Sequence, residues 1–379
     1  MSVARSLCLA GCSALLLGCA RAPSVASQPA APSVGVSPLA ESGTVAVPPL
    51  RWPVRTLVHV DLWLHAFALL SDDSATVPLY RRGYRDSLVV EKNRRNILTA
   101  LDGNRETLTR GLQRSGGYLN AQFLPFAFSS WEEMRTTGER FLQFEGDPRR
   151  APDRDLALRM SAFAAVFPSA SDREWLRLFL ASVQDEQVRW FTAEHNGLLR
   201  TRAAVITAVD SLWQQEYRAK FERFLNNTGQ RQGDVLLSLP IGGEGRTGPG
   251  VTGRTMVAVP YPARVADAPE VLYVLAHEIT GSLVGPAVGD NVTPAEQRAG
   301  TADRYVAVGQ VQAGALLLER LAPELLDGYR RYYLIQVGER AAATLAGAPL
   351  TTAFTGRFVL PTAIQSALTR QIDIVLSGI

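Results

Sequence analysis

Residues 270–283, Glu270-Val271-Leu272-Tyr273-Val274-Leu275-Ala276-His277-Glu278-Ile279-Thr280-Gly281-Ser282-Leu283, form an apolar stretch with one histidine and one acid set near its end. Val271, Leu272, Val274, Leu275 and Ile279 recur at helical spacing, which predicts a helix over Glu270 to Leu283. Two short runs precede it, Val235-Leu236-Leu237-Ser238-Leu239 and Thr255-Met256-Val257-Ala258-Val259. Both are rich in the branched side chains that suit a pleated surface, and each is predicted as a strand. Strand, strand, helix in that order describes a small sheet inserted late in the chain.

Outward from this core the chain reads as helices. Between the strands lies Gly242-Gly243-Glu244-Gly245-Arg246-Thr247-Gly248-Pro249-Gly250. A phosphate loop would need a helix N-terminus after it and usually a lysine. Pro249 and a second strand follow instead, so a flexible connection is expected. Downstream, helices are predicted over Ala295 to Leu321 and Pro361 to Leu376. Upstream, Leu57, Val60, Leu64 and Phe67 share one helical face, in an apolar stretch ending at Ser71-Asp72-Asp73. Ser130 with Glu133, and Ser171 with Glu174, carry the capping-box spacing. Trp175, Leu178, Phe179, Val183 and Trp190 then continue at helical spacing. A further helix is predicted over Ala203 to Leu225, stopped by Asn226-Asn227-Thr228-Gly229. No period of 20–50 residues appears, which argues against a repeat array. The expectation is a predominantly α-helical α+β protein, with a helical region over 51–230 and the small sheet with its helices over 231–379.

Composition narrows the function classes. With 46% hydrophobic and 20% charged residues the chain has the makeup of a globular protein. The net charge is +3, and its arginines are spread among acids, with lysine only at Lys92 and Lys220. That charge is too small to imply a nucleic-acid partner, and none is expected. The three cysteines, Cys8, Cys12 and Cys19, all lie at the N-terminus, so no disulfide staples the rest and core packing must hold it.

Arg5 is the only charge ahead of an apolar run, Leu7 to Gly18, that is too short for a permanent membrane span. Its end, Leu16-Leu17-Gly18-Cys19, resembles the lipobox of bacterial lipoproteins. The resemblance implies a signal peptide over 1–18, lipidation of Cys19, and a Pro- and Ala-rich tether over 19–50 that links the body to a membrane. The alternative box at Leu9-Ala10-Gly11-Cys12 leaves almost no hydrophobic core before the cut. An ordinary secretory signal with an incidental Cys19 is the competing reading. Ala20, where an aspartate would favour inner-membrane retention, points to the outer membrane if the cell has two. The expected location is therefore the cell envelope.

His277-Glu278 is the one motif with chemistry in it. A zinc-peptidase helix reads His-Glu-x-x-His: two imidazoles four residues apart reach one metal, and the glutamate takes a proton from the metal-bound water. Ala276 to Pro286 resembles the active helix of a group of bacterial zincin-like proteins, metallopeptidase-like in design. The resemblance implies His277 as first zinc ligand, Glu278 as general base and Ser282 as the serine after the second ligand. Gly281 departs from the pattern at the second ligand, and Gly285 replaces an asparagine. The third ligand, a glutamate early in the helix expected over Arg304 to Leu321, is replaced by Val308-Gly309-Gln310-Val311. Glu319 is the only acid well inside that helix, and Glu296 and Glu324 flank it. Structural zinc is worth about 10–16 kcal/mol spread over its ligands, so a chain lacking two of them is expected to hold none tightly.

Three functions follow as expectations. The first is a degenerate metallopeptidase-like protein, with no cofactor, that binds a peptide or envelope partner. The second is an active zinc hydrolase using His277, Glu278 and an unconventional ligand such as Glu319. The third is a helical structural lipoprotein in which His277 is only a hydrogen-bonded core residue. Among other candidates, Asp61 and His65 are four apart and share a helical face, while His59 does not. They read as a core histidine held by an aspartate, with a metal pair as the alternative. His195, before Asn196-Gly197, reads as a helix cap. No Gly-x-Ser-x-Gly elbow supports a serine hydrolase. Trp131, Trp175, Trp190 and Trp213 sit at apolar helical positions and read as core.

Overall fold

The first helix, α1 (Val58–Leu70), is buried on every side: each residue from His59 to Leu70 is inaccessible to solvent. A helix that is apolar all round belongs in an interior, and its three polar residues, His59, Asp61 and His65, are carried in with it. The computed structural model describes residues 52–71, 77–250 and 253–378. The expected signal, Cys19 and tether lie outside these.

Around α1 pack α2 (Tyr84–Arg94), α3 (Ala100–Arg114), a 3-10 stretch (Gly116–Ala127), α4 (Trp131–Gln143), α5 (Arg154–Val166) and α6 (Ala170–Glu186). Trp63 meets Phe179 edge-on at 4.8 Å, and Trp175 stacks on Phe179 at the same separation. Trp131, Trp175, Trp190 and Trp213 are all buried, as expected. Ser130 caps α4 through the Glu133 amide, as its spacing predicts. The next box is corrected: Ser169 and Asp172 exchange the reciprocal bonds, and Ser171 and Glu174 fall inside the helix they were expected to open. Aspartate three residues on reaches the cap amide as glutamate would.

Two helices widen without ending. A π turn (Gln187–Phe191) carries α6 directly into α7 (Thr192–Thr201), and another (Trp213–Tyr217) joins α8 (Ala203–Leu212) to α9 (Arg218–Asn227). The helix predicted over Ala203 to Leu225 is therefore this interrupted pair.

The sheet has four strands, β1 (Val54–Arg55), β2 (Gly233–Ser238), β3 (Arg246–Pro249) and β4 (Thr255–Pro260), in the order β1-β2-β4-β3. The first three in that order are parallel and β3 is antiparallel. Side chains alternate between two cores, as the pleat requires. Leu236, Met256 and Ala258 enter the core around α1. Val235, Leu237, Val257 and Val259 enter a second core built by α8, α9 and the C-terminal helices. Both faces are thus covered, which explains why the runs read as continuous apolar stretches. The protein is predominantly α-helical with a small mixed sheet.

The glycine-rich stretch is corrected from a slack connection to a packed one that contains β3. A Cβ on Gly242 would lie 2.8 Å from the Tyr80 backbone, and one on Gly245 would lie 2.6 Å from the Ala258 carbonyl. These glycines serve close approach.

The C-terminal layer comprises α10 (Pro269–Ile279), α11 (Gly281–Gly289), α12 (Pro294–Arg298), α13 (Thr301–Leu321), α14 (Leu326–Gln336), α15 (Gly347–Arg357) and α16 (Thr362–Ser377). Two expected helices are split. The helix predicted over Glu270 to Leu283 breaks at Thr280, whose hydroxyl donates to the Ala276 and His277 carbonyls and bends the axis by 41°. The helix predicted over Ala295 to Leu321 breaks at Gly300, which adopts φ 71°. Among the described residues no single helix is long and apolar enough to cross a membrane.

Candidate functional site

His277 and Glu278 end α10 beneath the antiparallel edge strand. The His277 ring is buried and stacks on Tyr333, with centroids 5.2 Å apart. Its Nδ1 lies 3.1 Å from Glu278 Oε1. The same oxygen accepts the Gly245 amide at 3.1 Å, and Oε2 accepts the Thr247 hydroxyl at 2.9 Å. Three donors from helix and sheet therefore converge on one carboxylate. Burial pushes this carboxyl up, but the His277 bond, the nearby Arg246 guanidinium and Thr247 outweigh it and hold it below the usual carboxylate range. Arg246 is itself fixed by Glu244 at 2.9 Å and by Gln122 at 3.2 Å.

Beside Glu278 opens a cleft of about 280 Å³, with Thr228, Thr247, Thr255, Ile279 and Ser282 among its lining residues. Its walls offer hydroxyls and backbone, and its charged groups, Glu278 and Arg254, are both already paired.

The helix crossing behind the motif decides how the residues suit zinc. A Cβ on Gly281 would sit 3.2 Å from Gln310 Nε2, and a Cβ on Gly314 would sit 3.1 Å from the His277 Cα. Gly281 and Gly314 offer no donor, and Gln310 is a neutral amide. Glu319 is exposed and pairs with Arg320 at 3.2 Å. Glu296 closes the capping box of α12, and Glu324 pairs with Lys220. Among the described residues no three histidine, cysteine, aspartate or glutamate side chains converge as a metal would require. This donor set does not fit the three-ligand zinc site that the sequence motif suggests.

A second polar centre lies on α1. Asp61 does hold a histidine, but its partner is His195, with Nε2 2.9 Å from Oδ2, and it also accepts the Leu239 amide at 3.2 Å. His65 instead places Nε2 2.9 Å from Glu186 and Nδ1 2.9 Å from the Tyr84 hydroxyl. Lys92 completes the cluster, donating to Glu186 at 2.7 Å and to Asp102 at 2.9 Å. Burial raises the Glu186 carboxyl, but His65 and Lys92 overcome this and bring it to about 2. His59 stands apart, its Nε2–H shared between the Pro125 and Phe128 carbonyls.

His195 is thus a core residue, and its reading as a cap is corrected: the helix continues past Asn196 to Thr201. In a regular α-helix, the nine-residue separation of Glu186 and His195 would set them about 180° apart. The π turn between them absorbs one residue, so they lie about 80° apart and both face α1. Sequence reasoning missed Glu186, although Val183 and Trp190 bracket it on the apolar face. That position was the available signal.

Comparison with protein-family models, with curated proteins and with solved structures yields no match.

Proposed function

We propose that this is a non-catalytic, zincin-like lipoprotein of the cell envelope, anchored by lipid at Cys19, that binds a peptide or an envelope partner in the cleft beside Glu278. The supporting observation is the state of the Glu278 carboxylate. A general base needs a lone pair aimed at its substrate proton. Here three of the carboxylate's four acceptor sites are occupied, two on Oε1 by Gly245 and His277 and one on Oε2 by Thr247. The carboxylate acts as a clasp that fixes the edge strand to α10 and shapes one wall of the cleft. With Glu278 and Arg254 already paired, the hydroxyl and backbone groups of the walls suit the main chain of a peptide better than an ionic ligand.

The test uses purified protein in detergent, assayed for bound zinc and for casein cleavage. A photo-crosslinking residue at Ser282 then serves for capture in cells. The expected results are substoichiometric zinc, no cleavage and a discrete cross-linked product. Stoichiometric zinc with cleavage lost in Glu278→Gln would overturn the proposal. Cys19→Ser is expected to release the protein from the membrane fraction.

A further inference from the structure

We propose that Arg81 and Arg202 form a binding site for a phosphate dianion, free or as a monoester, beyond the carboxyl ends of β2 and β4. The site is separate from the cleft beside Glu278. That cleft takes in Thr255 at the start of β4 and Ile279 at the end of α10, whereas this site adjoins Tyr261, just past β4, and Glu270, in the first turn of α10. Arg81 spans the residues that follow two parallel strands. Its amide donates to the Pro240 carbonyl, past β2, at 2.8 Å, and its Nη2 donates to the Tyr261 carbonyl at 2.7 Å. Arg202, at the junction of α7 and α8, reaches the same tyrosine. Its guanidinium lies 6.0 Å from the ring centroid, and its carbonyl accepts the Tyr261 hydroxyl at 3.0 Å. One residue thus gathers two guanidinium groups where parallel strands end, which is where open parallel sheets hold their ligands.

Neither arginine has a carboxylate partner among the described residues, and the Arg202 guanidinium makes no hydrogen bond there. Arg81 is half-buried, and its Nε is shielded from solvent without a partner. Glu270 is close enough to act on Arg81 but forms no pair with it. Burial, followed by Asp267, raises the Glu270 carboxyl to about 7, so it is an incomplete counter-ion at neutral pH. Burial, and after it Arg202, pull Arg81 below the ordinary guanidinium value. Holding a guanidinium partly out of water beside a second one costs free energy that a bound anion would offset. The charges select the anion. A phosphate monoester carries about −2 and three strong acceptor oxygens, which match two planar forks of N–H donors. A carboxylate brings half that charge and one oxygen fewer. The Tyr261 carbonyl orients Arg81, and Arg202, with no hydrogen bond to hold it, can turn toward the same ligand.

The experiment titrates the full chain, in a neutral detergent, with inorganic phosphate, glycerol 3-phosphate and acetate, against chloride at matched ionic strength. Calorimetry reads the binding, and thermal unfolding follows the stabilisation it brings. Wild type is expected to bind one phosphate per chain, and acetate at least about tenfold more weakly. Tighter binding of glycerol 3-phosphate than of inorganic phosphate assigns the site to a monoester, and the reverse order assigns it to the free ion. Arg202→Gln removes one fork without breaking a hydrogen bond to the fold, and should weaken phosphate binding at least about tenfold. If that variant fails to fold, Arg81→Lys keeps a charge and a donor for the Tyr261 carbonyl but loses the fork, and must show the same loss. The absence of saturable phosphate binding in wild type overturns the proposal. So does acetate binding as tight as phosphate, or phosphate binding that the folded variant leaves unchanged. None of these results bears on the cleft beside Glu278, whose test is the zinc assay and the cross-link at Ser282.

Discussion

Replacing Glu186 with glutamine should expose how much of the helical layer hangs on one ion cluster. Glu186 is fully buried, its oxygens taken by His65 at 2.9 Å and Lys92 at 2.7 Å. Glutamine keeps the shape but, among the described residues, leaves Asp102 as the one anion beside Lys92 and His65 with no anion. Removing one partner of a buried pair costs about 3–5 kcal/mol, because the other charge stays buried and uncompensated. The carboxyl supplies an independent figure. It sits at about 2 in the folded protein, against 4.5 for an ordinary glutamate. A fall of that size corresponds to about 3 kcal/mol of stabilisation. Because the folded value is the lower one, this stability is complete above about pH 4.5 and disappears as pH falls toward 2. Urea unfolding of wild type and Glu186→Gln should therefore differ by about 3 kcal/mol at pH 7, with the gap closing steadily below pH 4.5. A difference under about 1 kcal/mol at pH 7, or a gap of equal size at pH 2.5, would refute the reasoning.

Glu270 should behave in the opposite sense. Burial, followed by the neighbouring Asp267, raises its carboxyl to about 7. It therefore destabilises the fold increasingly as pH rises from 4.5 to 7. Glu270→Gln is expected to gain about 1–2 kcal/mol at pH 8, a figure discounted for partial exposure, and nothing at pH 4; calorimetry at the two pH values checks this. Gly245→Ala puts a methyl 2.7 Å from Glu278 Cγ, and should cost about 2–3 kcal/mol and loosen β3, measurable as faster amide exchange at Thr247. Deleting Val188, an exposed residue within the π turn, should convert that turn to regular helix and swing His195 about 100° away from Asp61. Its destabilisation should match that of His195→Ala and not add to it, whereas a neutral deletion would show that the turn has no such role.

The parts of the fold legible in the sequence are those that repeat. Strands β2 and β4 alternate between two cores from Val235 to Leu237 and from Met256 to Val259, and the tryptophans fall on apolar faces. Elements too short to repeat were invisible: β1 has two residues, and β3 is Arg-Thr-Gly-Pro inside a glycine-rich stretch. Glycine there looked like slack because sequence does not show what a missing Cβ makes room for. The site was half legible. His277-Glu278 stands out as a motif, and the absence of a donor at 281 can be read directly. That Gly245 and Thr247 would bind both carboxylate oxygens depends on strand order, which local pattern does not encode. The Asp61 partner was misassigned for a related reason. Four-residue spacing along α1 suggested His65, yet side chains on one helix face point outward side by side, and each found its ion on another helix.

Strand β1 carries a consequence for how the molecule is made. Val54 pairs with Val235, and Asp61, a few residues on, takes its amide from Leu239. Val54 and Asp61 thus cannot reach their final neighbours until more than half the polypeptide has emerged. Joining such distant segments means closing a very long loop before any contact repays it, so maturation should be slow and late for a helix-rich chain. Severing the polypeptide near residue 230 would not release two self-sufficient halves, because the front piece supplies a sheet edge and a buried acid to the rear one.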